Sequence, residues 1–141
     1  PVDYTLFWRE LSNLPKHVAD LRASFYETRG GYAQDSVAME SRWSTWLQKW
    51  HTALQQEGRN PAEISSAMKR TNPKYIAREW MLVEAYRKAT DSGDYSVVHQ
   101  LHDVLADPYS EQAEDVAVLY YKKKEEKFFN LGGTSHCSCS S

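Results

Sequence analysis

Thr71–Gln112 reads TNPKYIAREWMLVEAYRKATDSGDYSVVHQLHDVLADPYSEQ, and its punctuation decides the fold. Pro73 disfavours helical geometry at Asn72, so one helix should end before Asn72 and Asn72 should cap the next. In that next helix Ile76, Trp80 and Val83 form one apolar stripe and Tyr75, Leu82 and Tyr86 a second, the pattern of a central helix. A short Asp/Ser/Gly turn follows. Asp94 then caps a helix with Val98, Leu101 and Leu105 inward, and Asp107-Pro108 closes it.

Upstream, Asp3 is placed to cap a first helix in which Phe7, Leu11 and Leu14 fall at i, i+4 and i+7. Pro15 suits the first turn of a second helix carrying Val18, Leu21 and Phe25 inward, and Gly30-Gly31 ends the pair. The strongest periodicity comes next: Met39, Trp43, Trp46, Trp50 and Leu54, flanked by Leu47, behind a cap at Asp35 or Ser36 and stopped by Gly58. Asn60-Pro61-Ala62-Glu63 combines a cap, a first-turn proline and a Glu three residues after the cap, so a short helix should carry Ile64 and Met68 inward. Downstream, Ser110 opens a last helix with Ala113, Val116 and Tyr120 on one side, acidic residues at its start and Lys122 to Lys124 near its end. After Phe129 the pattern stops, and LGGTSHCSCSS (Leu131 to Ser141) reads as a flexible tail. The expected fold is all-α: an irregular bundle of about six or seven helices over residues 1–129, with a flexible cysteine-containing tail at 130–141.

A chain of 141 residues suffices for one domain that buries roughly two-thirds of its unfolded surface. Five tryptophans and nine tyrosines let rings build much of the core. Seventeen basic against nineteen acidic side chains leave a charge of −2, so no global field would collect nucleic acid or an anionic membrane. No window approaches the ~20 apolar residues of a membrane span, and PVDYTLFWRE lacks the features of a secretory signal. A start at Pro1 suggests a processed or excised segment. The two cysteines sit together near the C-terminus, unlike the spaced set of a disulfide scaffold.

Chemistry-bearing motifs are few. Gly30-Gly31 and Gly132-Gly133 lack the flanking spacing of a phosphate-cradling loop, and kinase-type HRD and DFG segments are absent. His99, His102 and Asp103 fall within about one helical turn, but without a remote third ligand they read as a helix face, so no metal site is expected. Lys122 to Lys127, KKKEEK, reads as a solvated helix end. Trp43, Trp46 and Trp50 would serve as core, as a docking face, or as both in part. His136-Cys137-Ser138-Cys139 is the reactive constellation, since an exposed thiolate is a nucleophile and an oxidation target.

Asn72-Pro73-Lys74-Tyr75, Arg78, Glu84-Ala85, Gly93-Asp94-Tyr95, Asp107-Pro108-Tyr109 and the ending Cys137-Ser138-Cys139-Ser140-Ser141 resemble the C-terminal region of the selenoprotein O family. Its members end in a Cys or selenocysteine followed by two serines, the place that Cys139 holds; the run Tyr121 to His136 departs from the family's pattern. The resemblance implies a kinase-like protein adenylyltransferase that moves AMP from ATP, with Mg2+ or Mn2+, to Ser, Thr or Tyr hydroxyls of protein substrates. The catalytic parts lie upstream of the region matched here, so no catalytic residue carries over and the chain by itself is expected to be inactive and free of cofactor. Its implied partner is the upstream kinase-like domain of the same protein. Cys139 is implied as a redox element, with Cys137 as a possible resolving thiol, and the location as mitochondrial in a eukaryote or cytoplasmic in a bacterium. Two other readings stay open: a non-catalytic helical interaction module using an aromatic face, and a stand-alone thiol protein.

Overall fold

Asp3 starts the first helix by accepting the backbone N–H of Leu6 on Oδ1 at 3.1 Å, and its Oδ2 accepts the Tyr26 hydroxyl at 3.2 Å. These contacts belong to a computed structural model that describes residues 2–26 and 36–125. Among the described residues there are six α-helices and one 3-10 helix: α1 (Tyr4–Leu11), the 3-10 helix (Val18–Ser24), α2 (Ser36–Gln56), α3 (Pro61–Thr71), α4 (Glu79–Ser92), α5 (Ser96–Ala106) and α6 (Glu114–Tyr120). The all-α expectation holds; the only extended pairing described is an isolated antiparallel bridge between Val2 and Phe25. The Gly30-Gly31 turn, an Asp35 cap and the 130–141 tail lie outside the described residues.

The chain separates into two units, Pro1–Lys74 and Tyr75–Ser141. In the first, Phe7, Leu11, Val18, Leu21, Phe25 and Leu47 form the buried core. The second expected helix is a 3-10 helix, and Pro15 stands outside it. Buried Val18, Leu21 and Ser24 recur every three residues, which aligns them on one edge of a three-residue turn. Leu14 also falls outside α1, at φ +55. In α2 it is Leu47, the flanking residue of the expected stripe, that is 2% exposed, while the tryptophans are half-buried against the core. Gly58 ends this segment at φ +67, and Asn60 caps α3 by accepting Ala62 N–H at 2.8 Å.

A polar seam joins α1 to α3. Arg9 is 3% exposed, and its Nη1 donates to the carbonyls of Lys69 and Asn72, each at 3.0 Å. These oxygens sit at the C-terminal end of α3, where carbonyls lack intrahelical partners and the helix dipole favours a cation. Ser65 Oγ donates to the Ser12 carbonyl at 2.7 Å, and Asn72 Nδ2 to Ser12 Oγ at 3.3 Å.

The seam explains one correction. Asn72 serves α1 and α3 and does not cap the next helix, which begins only at Glu79. Residues 73–78 are non-helical, so Tyr75 and Ile76 drop out of the expected stripes; Met81 and Ala85 face the second core with Trp80 and Leu82 packed against it, whereas Val83 and Tyr86 are exposed. Tyr75 enters that core from the extended segment, donating N–H to the Pro108 carbonyl at 3.1 Å and its hydroxyl to the Glu111 carbonyl at 2.9 Å. Leu101, Val104 and Tyr120 complete it. Gly93, at φ +66, ends α4, with its N–H on Ala89 and that of Asp94 on Lys88. The last helix is shorter than expected, starting at Glu114 with Ala113 as its cap. Gln112 accounts for the gap, donating Nε2 to the carbonyls of Val104 and Asp107 at 2.8 Å each and so holding the end of α5.

Candidate functional site

The tryptophan stripe is the first candidate surface. Trp43 lies between Phe7 and Phe25, with ring centroids at 5.3 and 5.2 Å, and meets Trp46 edge-on at 5.6 Å. Trp46 and Trp50 stack at 6.3 Å with an 8° interplanar angle. His51 packs on Trp50 at 4.9 Å and points Nε2 at the Pro15 carbonyl, 2.7 Å away; a carbonyl only accepts, so this nitrogen carries the proton. One side of the stripe thus packs into the first unit, and its half-buried rings keep an outer edge at the surface.

A second surface in the same unit is one that the periodicity of α2 did not point to. Tyr4 and Trp8, one turn apart on α1, face Ala67, Met68, Thr71 and Asn72 of α3 and its cap across a groove of about 450 Å³. Tyr4 is 73% exposed, and its ring meets that of Trp8 edge-on at 5.9 Å. The indole N–H of Trp8 is buried without an acceptor. The i, i+4 spacing of Tyr4 and Trp8 was a readable signal on the face opposite Leu6, but only the folded position of α3 turns it into a groove.

In the second unit His99, His102 and Asp103 are exposed, and His102 Nδ1 lies 3.3 Å from Asp103 Oδ1. Among the described residues no three His, Cys, Asp or Glu side chains gather as metal ligands. Lys122 lies over the Trp80 ring at 5.2 Å and Lys124 is 3.9 Å from Glu79, so the lysines beyond α6 engage the start of α4. Two groups titrate away from their ordinary values. Hydrogen bonds from the Ser96 side chain and backbone hold the Asp94 carboxyl low, and burial pushes the Tyr120 phenol up. Cys137 and Cys139 lie outside the described residues. No described helix is long and apolar enough to cross a membrane.

The family described as protein adenylyltransferase SelO matches residues 1–106. A protein nucleotidyltransferase YdiU of Thiobacillus denitrificans is 35% identical over 111 residues, covering 79% of this chain and 21% of the relative. Those of Xanthomonas oryzae pv. oryzae and Methylobacillus flagellatus are 33% and 34% identical over 143 and 149 residues, each covering 99% of this chain and 26% of the relative. The chain therefore spans about a fifth to a quarter of the length of these relatives. No solved structure matches it.

Proposed function

Because the chain belongs to the protein adenylyltransferase SelO family, we propose that it is the C-terminal helical and redox-regulatory portion of a longer protein adenylyltransferase. One observation carries the reading: the family match occupies residues 1–106, yet the chain accounts for only 21–26% of the relatives' length. The reaction of the whole protein joins a Ser, Thr or Tyr hydroxyl oxygen of a protein substrate to the α-phosphorus of ATP and releases pyrophosphate. The described residues do not fit a metal-bound nucleotide. They bring no three ligating side chains together, and Gly58 and Gly93 close helix ends. In this reading ATP with Mg2+ or Mn2+ belongs to the kinase-like portion upstream, this chain's partner.

The helical units support that portion, and Cys139 acts as a redox element whose oxidation state governs access to the active site, with Cys137 as a resolving thiol. Support for this part is the ending Cys137-Ser138-Cys139-Ser140-Ser141. Location follows the host: mitochondrial in a eukaryote, cytoplasmic in a bacterium. The test is to add this polypeptide to the upstream kinase-like portion and assay AMP transfer under reducing and oxidising conditions, with Cys139→Ser as control. A response to oxidation that requires Cys139 supports the reading. Activity indifferent to the added chain refutes it and leaves the second reading, an independent interaction module, which the outer edges of Trp46 and Trp50 favour.

A further inference from the structure

We propose that residues 121–125 form a latch that holds the chain leaving α6 against the start of α4, so that the C-terminal cysteines depart from that end of the second unit; the redox task of those cysteines is taken from the reading above. The helix stops at Tyr120, and the five residues after it are non-helical, so the lysines of KKKEEK do not extend it as a solvated end. They fold onto α4 instead. Tyr121 meets the Tyr75 ring edge-on at 6.4 Å, Lys122 Nζ lies 5.2 Å from the centre of the Trp80 ring, and Lys124 Nζ lies 3.9 Å from Glu79 Oε2. Lys122 Nζ is also 3.9 Å from Glu125 Oε1, which ties the segment to itself.

A single ion pair on an open surface contributes little. Here the contacts to Tyr75, Trp80 and Glu79 all sit on one short segment, so each makes the next intramolecular and the segment is held jointly. Glu79 and Lys124 are only 25% and 27% exposed, so salt screens their attraction less than that of a fully solvated pair. Glu79 also opens α4, where the helix dipole favours its negative charge. The family match occupies residues 1–106, and the latch lies beyond it. Its consequence is a limit on reach. Cys139 is 14 residues beyond Glu125 and so lies within about 46–50 Å of it, at ~3.3–3.6 Å per residue. Release back to Tyr120 adds five residues, widens the radius to about 63–68 Å and more than doubles the volume that the thiol explores. A thiol partner of Cys139 in the upstream portion is then one that comes within the shorter radius.

The experiment uses the full 141-residue chain with Cys137→Ser, which leaves Cys139 as the single thiol to carry a nitroxide spin label. Paramagnetic broadening of backbone amides is then read by NMR. Residues 79–82, at the start of α4, should broaden at least twice as much as residues 92–93 at its far end, about 20 Å away at ~1.5 Å per residue. Lys122→Gln combined with Lys124→Gln should remove at least half of that difference, with unchanged amide positions over residues 96–106 showing that the second unit still folds. Salt at about 1 M, where the Debye length shrinks to ~3 Å, should act the same way on the chain that keeps both lysines. Equal broadening at the two ends of α4, or a difference that neither the double variant nor salt reduces, overturns the latch. That result leaves the proposed function standing where AMP transfer still responds to oxidation through Cys139. Loss of that response with the broadening pattern intact overturns the proposed function and leaves the latch.

Discussion

Replacing Arg9 with Met should be the most damaging single change in the first unit that leaves its apolar core composition intact. Two hydrogen bonds run from its buried guanidinium to the carbonyls of Lys69 and Asn72. Each bond from a charged donor is worth about 1.5–3 kcal/mol, and a cation at a helix C-terminus adds about 0.3–1 kcal/mol. Methionine keeps an unbranched chain in the same slot and removes the need to bury a charge, which returns part of that sum. The expected loss is about 3 kcal/mol, which for a unit the size of Pro1–Lys74 lowers the melting temperature by roughly 12–24 °C. Arg9→Lys, with a point charge in place of a fork, should lose about half as much. Urea unfolding followed by tryptophan emission reads this unit well, because Trp8, Trp43, Trp46 and Trp50 all belong to it. A loss below about 0.5 kcal/mol, the size of an ordinary surface substitution, would refute the reasoning that the seam holds α1 to α3.

The second unit offers three more tests. Gly93→Ala meets no atom within 4 Å, so its cost of about 1 kcal/mol in denaturant unfolding should be purely that of the left-handed backbone at φ +66. Gln112→Ala removes both hydrogen bonds to the end of α5 and keeps a strained φ of +52, whereas Gln112→Gly relieves the strain; thermal melts should rank Gly above Ala by about 1 kcal/mol. Stability should also fall at both pH extremes. Asp94, held low by Ser96, contributes above the ordinary carboxylate range, and that contribution is lost as pH falls through its depressed folded value. Tyr120, pushed up by burial, contributes fully below about pH 10, and the contribution is lost as pH rises through its higher folded value. Asp94→Asn should flatten the acid limb and Tyr120→Phe the alkaline limb of a stability profile.

What could be read in the chain was what is chemically local. Asp3 and Asn60 cap where their side chains sit ahead of helical patterns, and Gly58 and Gly93 stop helices because each adopts positive φ. Val18, Leu21 and Phe25 were recognisable as buried, but apolar spacing by itself did not distinguish a 3-10 turn from an α-helix. Asn72 was misplaced because an Asn before Pro is a good cap in isolation, and only the arrival of Arg9 and Ser12 gives it another task. In α4 the expected stripes held at Trp80 and Leu82, which pack against the second core, and failed at Val83 and Tyr86, which are exposed while Met81 is inside. Arg9 and Gln112 went unread for the same reason: their partners are carbonyls, which every residue possesses, so no side-chain pattern announces them. The groove at Tyr4 and Trp8 exists only once α3 is beside α1.

The Arg9 seam also sets a clock for synthesis. Its acceptors lie 60 and 63 residues later in the chain, which at about 5–20 residues per second leaves α1 waiting roughly 3–13 seconds for them. An eight-residue helix does not persist unaided in water, so in that interval α1 depends on Val18, Leu21 and Phe25, which follow it closely in the chain and share its core. Yet the wait ends at Asn72, just before the second unit begins at Tyr75. The first unit thus has every one of its seam partners synthesised before the second begins, and a ribosomal pause timed for the moment residue 74 clears the exit tunnel would separate the two folding events in time.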